Sequence, residues 1–285
     1  MAVLCWAMST ASWLAALLVT PLLVCSAAAE TVHFRSATWP PTPLQQRLAK
    51  TAGQTVAELA STKIAGELYL PPGNGPFPAV VLMPPCSGRL PPPLERADAD
   101  RHTNLGYALL VVDSFGSRGF TEGCSGVGSS VDLVMDAYGA LLYLAEQPFI
   151  DPDRIAIVGY SLGAQVALSV VAFDGPERLF DRQFRAAIAY SPFCSLPDGA
   201  VAVPTLILLG ELDDWATPRD CRAMMARLKD LGAPVRLVVY PEAHHAFNLK
   251  LGPRSYYGHH LEYNEAADRA AWGETVAALR QAFGR

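Results

Sequence analysis

Apolar residues in this chain gather into short unbroken runs, separated by segments with helical spacing. Ala79 to Met83 is apolar throughout, as a strand buried on both faces must be. Tyr107 to Val112, Arg154 to Val158, Ala186 to Tyr190, Thr205 to Leu209 and Val235 to Tyr240 predict further strands. Ile64 to Leu70 alternates and predicts a strand closed by Pro71-Pro72-Gly73. Apolar residues at helical intervals predict helices over Val131 to Glu146, Ala164 to Phe173, Arg219 to Leu231 and, as an amphipathic end piece, Ala266 to Phe283. Upstream, Val32-His33-Phe34 reads as a short strand. Pro40, Pro41 and Pro43 interrupt regular structure, and Leu44 to Ala60 is helical in part. Buried strands alternating with helices imply an α/β domain: a mostly parallel central sheet with helices on both faces.

The composition agrees with a large core. Of 285 residues 51% are hydrophobic and 17% charged, which excludes a disordered chain. The net charge is −5 and no dense Lys/Arg run occurs, so no nucleic-acid partner is expected. Met1 to Ala29 carries no charged side chain, holds an apolar run from Leu14 to Val24, and ends in Ala27-Ala28-Ala29. That pattern predicts a signal peptide over 1–29, cut after Ala29, and an exported domain over 30–285. A retained membrane anchor and lipid attachment at Cys25 are the alternatives. Export changes the reading of the cysteines. Cys5 and Cys25 leave with the leader, and Cys86, Cys124, Cys194 and Cys221 form an even set in an oxidising compartment. Two disulfides are expected, with three pairings open. No pair has the close spacing of a cysteine zinc site, and neither metal nor cofactor is expected.

The sharpest chemical signal is Gly159-Tyr160-Ser161-Leu162-Gly163, set between a strand and a helix. A strand that turns abruptly into a helix lifts its serine onto an exposed elbow at the helix N-terminus, where the dipole favours developing negative charge. A serine hydroxyl needs a base, and the base needs an orienting group. Candidates follow in the order Ser, acid, His. Asp213 and Asp214 lie just past the strand ending at Leu209, with Asp213 nearer the strand end. His244 and His245 lie just past the strand ending at Tyr240. Two backbone N–H donors are also required for an oxyanion. One is Leu162. The other falls in Met83-Pro84-Pro85-Cys86, where the prolines have no N–H and Cys86 is the first amide available.

Together these residues resemble the dienelactone hydrolase family of α/β hydrolases. The resemblance runs from about Ile64 to the C-terminus. It is carried by Gly75-Pro76-Phe77-Pro78-Ala79-Val80-Val81, by Val112-Asp113-Ser114-Phe115-Gly116-Ser117-Arg118-Gly119 and by the serine elbow. Gly210-Glu211-Leu212-Asp213-Asp214-Trp215, Tyr240-Pro241 through Phe247, Tyr263-Asn264 and Ala270-Ala271-Trp272 add to it. The resemblance implies the α/β-hydrolase fold, with Asp213 as the acid and His245 as the base. It also implies the pairings Cys86 with Cys124 and Cys194 with Cys221. Two departures stand out: the name-giving enzymes use a cysteine nucleophile where this chain has Ser161, and relatives carry His-Gly where this loop reads Pro84-Pro85.

The expected activity is hydrolysis of a small-molecule ester or lactone through an acyl-enzyme, without a cofactor. A membrane partner is expected only if residues 1–29 are retained. Trp215, Phe115 and Arg118 are candidate pocket residues, and Leu90 to Thr103 and Gly116 to Ser130 are candidate covers. A serine peptidase acting on short peptides and a non-catalytic binding protein of the same fold are the rival readings.

Overall fold

The computed structural model describes residues 29–55, 61–126, 131–173, 175–196, 200–228 and 231–284. The expected leader lies outside these residues except for Ala29, which opens the first strand. Among the described residues no helix is long and apolar enough to cross a membrane.

The chain runs β1 (Ala29–Arg35), α1 (Pro43–Thr51), β2 (Lys63–Tyr69), β3 (Phe77–Met83), α2 (Pro92–Thr103), β4 (Ala108–Asp113), α3 (Leu133–Ala145) and β5 (Ile150–Tyr160). It continues with α4 (Leu162–Val170), β6 (Ala187–Tyr190), β7 (Thr205–Gly210), α5 (Pro218–Arg227), β8 (Val235–Tyr240), β9 (Arg254–Tyr256), β10 (His259–Leu261) and α6 (Glu265–Ala282). Eight strands form one sheet in the order β1-β2-β4-β3-β5-β6-β7-β8. β1, β2 and β4 pair antiparallel, and from β4 onward every pairing is parallel. A small hairpin, β9 with β10, stands apart. This is the α/β-hydrolase fold.

The unbroken apolar runs have a direct structural cause. Successive side chains of a strand point to opposite faces, so a strand covered on both sides must be apolar at every position. One core holds Val81, Met83, Leu110, Val112, Ile155, Ile157, Ile207 and Leu209 beneath α3 and α4. The other holds their neighbours Val80, Leu82, Leu109, Val111, Ala156, Val158, Leu206 and Leu208 beneath α2 and α6. Caps fix where the helices begin. Asp132 accepts from the Met135 amide at 3.0 Å, so the helix expected from Val131 starts at Leu133. Asn264 does the same for α6 through Ala267. The helix expected to reach Leu231 ends at Arg227, with Leu228 as its C-cap.

Two elements carry no signal in the hydrophobic pattern. α2 buries Glu95, Asp98 and His102 along with Ala99, so its inward face is polar. Its carboxylates are satisfied by specific partners: Tyr69 donates to Glu95 at 2.9 Å, Arg89 Nε donates to Glu95 at 2.9 Å, and Tyr160 donates to Asp98 at 2.7 Å. Arg101 then clamps α2 to α6 through Asp268, at 2.8 and 2.6 Å. The other silent element is the β9–β10 hairpin, whose three-residue strands are too short to show a period.

The four cysteines form two disulfides, Cys86–Cys124 and Cys194–Cys221. The second joins the loop after β6 to α5. The first ties the loop after β3 to the segment after β4, and the Gly123 amide adds a 2.7 Å bond to the Cys86 carbonyl.

Candidate active site

The parallel strands β3, β5, β7 and β8 all release their loops at one edge of the sheet, the edge where open α/β sheets build their sites. The tightest of these turns is the elbow after β5. Ser161 has φ 54° and ψ −113°, a strained conformation for a residue with a side chain. The residues two positions to either side, Gly159 and Gly163, must be glycines. A Cβ on Gly159 would lie 2.0 Å from the Gly163 carbonyl oxygen, and a Cβ on Gly163 would lie 2.0 Å from the Met83 oxygen and 2.5 Å from the Pro84 oxygen. The elbow is therefore wedged against the loop that carries Cys86. Ser161 occupies the N-cap position of α4, yet its side chain makes no capping bond. Its hydroxyl is directed elsewhere.

Its partner is His245. Ser161 Oγ lies 3.0 Å from His245 Nε2, and His245 Nδ1 lies 2.9 and 3.0 Å from the two carboxylate oxygens of Asp213. All three residues are buried, with Ser161 at 7% exposure the most open. Asp213 is held in turn by amide donors, Trp215 at 3.1 Å and Ala216 at 2.8 Å. Its carboxylate accepts Nδ1–H, which leaves the Nε2 lone pair facing the serine.

Adjacent residues face away from this line. Asp214 is half exposed and accepts from the His260 amide at 3.3 Å, with His259 Nδ1 3.4 Å from the same carboxylate. The His244 ring packs edge-on against His260, with ring centres 4.2 Å apart. The crossing of the acid and base loops sets which neighbour points inward. The Leu212 amide donates to the Ala243 carbonyl at 2.9 Å and the Glu211 amide to Tyr240 at 2.8 Å. A Cβ on Gly210 would sit 2.2 Å from the Ala243 oxygen, so this crossing requires glycine there. Glu242 and Ala246 take positive φ, 55° and 61°, which curls the histidine loop back over the sheet edge.

Ser161 and His245 lie on the floor of a cavity of about 480 Å³, within the range of small-molecule sites. Leu90, Leu94, Trp215, Leu249, Leu251 and Tyr256 give it an apolar wall, and Arg89 and Arg254 contribute charge. Arg89 is engaged by Glu95 and Glu67, whereas Arg254 forms no ion pair among the described residues. Of the expected pocket residues only Trp215 lines the cavity, with its ring centre 5.1 Å from that of His245. Phe115 and Arg118 do not. Phe115 packs beneath Gly123, whose Cβ position lies 2.4 Å from its ring. Arg118 is turned inward to the buried Asp136, with paired bonds of 2.8 and 2.9 Å. An arginine so engaged is a structural tie between β4 and α3. Of the two expected covers, the start of the 90–103 segment walls the cavity through Leu90, Pro91, Pro92 and Leu94. The described residues of 116–130 do not line it. Their place is taken by Ala246 to Leu261, which the hydrophobic pattern did not mark.

Four buried phenols stand out in the core, and two of them, Tyr160 and Tyr190, line the cavity. Burial first, then the Glu95 hydrogen bond, pushes Tyr69 up to about 12. Burial is likewise the main cause that raises Tyr160, Tyr190 and Tyr240. In the unfolded chain these phenols ionise near pH 10. Above that pH the unfolded state releases protons that the folded state retains, so stability falls as pH rises. The expected slope is about 1.4 kcal/mol per pH unit for each phenol kept protonated. Urea midpoints should therefore drop steeply between about pH 10 and pH 12. A flat midpoint across that window contradicts this assignment.

Comparison with known proteins agrees with the architecture. The model of the dienelactone hydrolase family matches residues 64–283. An uncharacterized protein of Mycobacterium tuberculosis is 33% identical over 179 residues, covering 62% of this chain and 58% of that protein. Esterase FrsA of Klebsiella pneumoniae is 31% identical over 123 residues, covering 41% of this chain and 27% of the esterase. The chain thus spans little more than half the length of the first relative and about a quarter of the second. Among solved structures, a dienelactone hydrolase-like promiscuous phosphotriesterase from metagenomic libraries superposes with a TM-score of 0.67 at 18% identity, covering 90% of this chain and 99% of that one. With the family model running from β2 through α6 and the same fold in its solved neighbours, the chain belongs to the dienelactone hydrolase family.

Proposed function

We propose that the protein is a serine hydrolase that cleaves a small carboxylic ester or lactone through an acyl-enzyme. The observation that carries this reading is the unbroken line from Ser161 Oγ to His245 to Asp213 at the floor of the cavity. His245 Nε2 takes the hydroxyl proton as Ser161 Oγ bonds to the substrate carbonyl carbon. The carbonyl oxygen becomes an oxyanion. Leu162 and Cys86 are its proposed donors: Leu162 opens α4, where a first-turn N–H has no partner within the helix, and Cys86 borders the cavity after two prolines. As the oxyanion collapses, the protonated His245 passes its proton to the departing alkoxide. Water then gives a proton to His245 and attacks the acyl carbon, and Ser161 leaves with that proton restored.

One relative is an esterase, which favours esters as the substrate class. The apolar wall suits an uncharged or aromatic body, and Arg254 is the group there that would meet an anionic end. Two disulfides support an oxidising, exported setting, and residues 1–29 are proposed as the export signal.

A fluorophosphonate probe should form one covalent adduct, on the peptide holding Ser161, and p-nitrophenyl esters should be cleaved far faster than amino-acyl anilides. Absence of an adduct in folded protein would favour a binding role, and faster anilide cleavage a peptidase. The choice of acid is open to test as well. Asp213→Asn is expected to lower kcat by about 10³- to 10⁴-fold, because the amide cannot hold the productive tautomer. Asp214→Asn should stay within about threefold, since its carboxylate faces β10. Equal losses in the two variants would remove Asp213 from the proposed role.

A further inference from the structure

The face of the base loop turned away from Ser161 carries a second cluster. One ring nitrogen each of His244 and His260 and a carboxylate oxygen of Glu262 lie within 4.8 Å of one another. His260 Nε2 is 2.9 Å from the Glu262 carboxylate, and both side chains are 41% exposed. Nδ1 of His244 is buried and has no hydrogen-bond partner among the described residues. An imidazole nitrogen left in that state is costly, and a ligand bond would relieve it.

From this convergence we propose a binding site for a divalent transition-metal cation of the zinc type. The donor set is two imidazoles and one carboxylate, which suits Zn²⁺ and its first-row neighbours and is too poor in oxygen for Ca²⁺ or Mg²⁺. The partial exposure of His260 and Glu262 leaves an entry path and room for water in the remaining coordination positions.

The connections of the three ligands give the site a consequence. His244 precedes His245 in the loop after β8, while His260 and Glu262 belong to β10 and the residue following it. The two segments already touch, through a bridge between His245 and Leu261 and a 3.3 Å bond from the Glu262 amide to the His245 carbonyl. A bound cation would fasten the base loop to the hairpin whose first strand brings Arg254 and Tyr256 to the cavity. The site lies outside the reacting atoms and does not depend on the hydrolase reading.

The test uses the full chain, freed of metal with a chelator and titrated with ZnCl₂ in a non-coordinating buffer. Calorimetry should give one Zn²⁺ per chain. His260→Gln and Glu262→Gln should each weaken binding at least about tenfold. Both variants should keep ester turnover within about twofold of the metal-free wild type. Zinc should raise the Tm of the wild type and leave that of the variants nearly unchanged. Zinc-edge absorption of the loaded wild type should show two imidazole nitrogens plus oxygen, a readout that holds even if a variant folds poorly. No saturable uptake, equal affinity in wild type and variants, or a first shell without two imidazoles would each overturn the proposal.

Discussion

Replacing Ser161 with alanine is expected to lower kcat toward a p-nitrophenyl ester by about 10⁵-fold while the protein stays folded. At about 1.4 kcal/mol per tenfold, that is about 7 kcal/mol of barrier, more than any single hydrogen bond contributes to stability. The size follows from the mechanism. Without Oγ there is no acyl-enzyme, and what remains is direct attack by water beside the imidazole. Folding should tolerate the change, because the hydroxyl makes no capping bond and, among the described residues, is bonded to His245 alone. KM should move little, since the cavity wall is untouched. Stopped assays on the variant, with the urea midpoint as the control for folding, read both quantities. Turnover at the wild-type rate would remove Ser161 from the proposed mechanism.

Gly163→Ala is expected to cost both stability and activity, although a single methyl group is added to a helix. The methyl carbon would lie 2.0 Å from the Met83 oxygen, 2.5 Å from the Pro84 oxygen and 2.6 Å from the Met83 carbon. All three are backbone atoms, so no side chain can swing aside. The elbow and the β3 loop must separate by about 1 Å, and overpacking of this kind costs about 1–3 kcal/mol. The same displacement moves Leu162 away from Cys86, the two proposed oxyanion donors. A misplacement of about 1 Å lowers a rate by about 10²-fold. The urea midpoint and kcat should therefore fall together, with labelling at Ser161 slowed but still specific. An alanine variant with both values intact would show that the two loops are not held in register by this contact.

The legibility of the sequence varied with the physics of each part. Strands β3 to β7 were visible because burial on two faces leaves an apolar run, and the helices between them because one stripe must be apolar, whereas β8, at the sheet edge, is only partly buried and carries Arg236. α2 was invisible for the opposite reason: Glu95, Asp98 and His102 face inward, and the two carboxylates are met by Tyr69 and Tyr160, which lie far off in the chain, and by Arg89. Arg118 misled for a related reason. A charged residue after a strand end looks available for substrate, but the buried Asp136 claims it, and no local pattern reports a partner on another helix. The elbow motif and the strand ends narrow the proposed serine, acid and base to Ser161, to Asp213 or Asp214, and to His244 or His245. Choosing between Asp213 and Asp214, or His244 and His245, depends on how two loops cross at Gly210 and Ala243. That crossing is a tertiary event with no periodic trace, and family likeness was what singled out His245. The hairpin at β9 and β10 left no trace either, being short and polar.

Leu249, Leu251 and Tyr256 in the apolar wall of the cavity come from the segment Ala246 to Leu261, which belongs to neither the central sheet nor its covering helices. The segment is anchored at Phe247, which is fully buried against Tyr190 and Tyr240, by the bridge between His245 and Leu261, and by the Asn264 amide to the Phe247 carbonyl at 3.0 Å. Its positions other than the Phe247 anchor can be exchanged while the strand ends hold Ser161, Asp213 and His245 in place. Grafting this segment between relatives, with Phe247 kept as its anchor, is therefore a way to exchange part of the pocket while the sheet stays as it is.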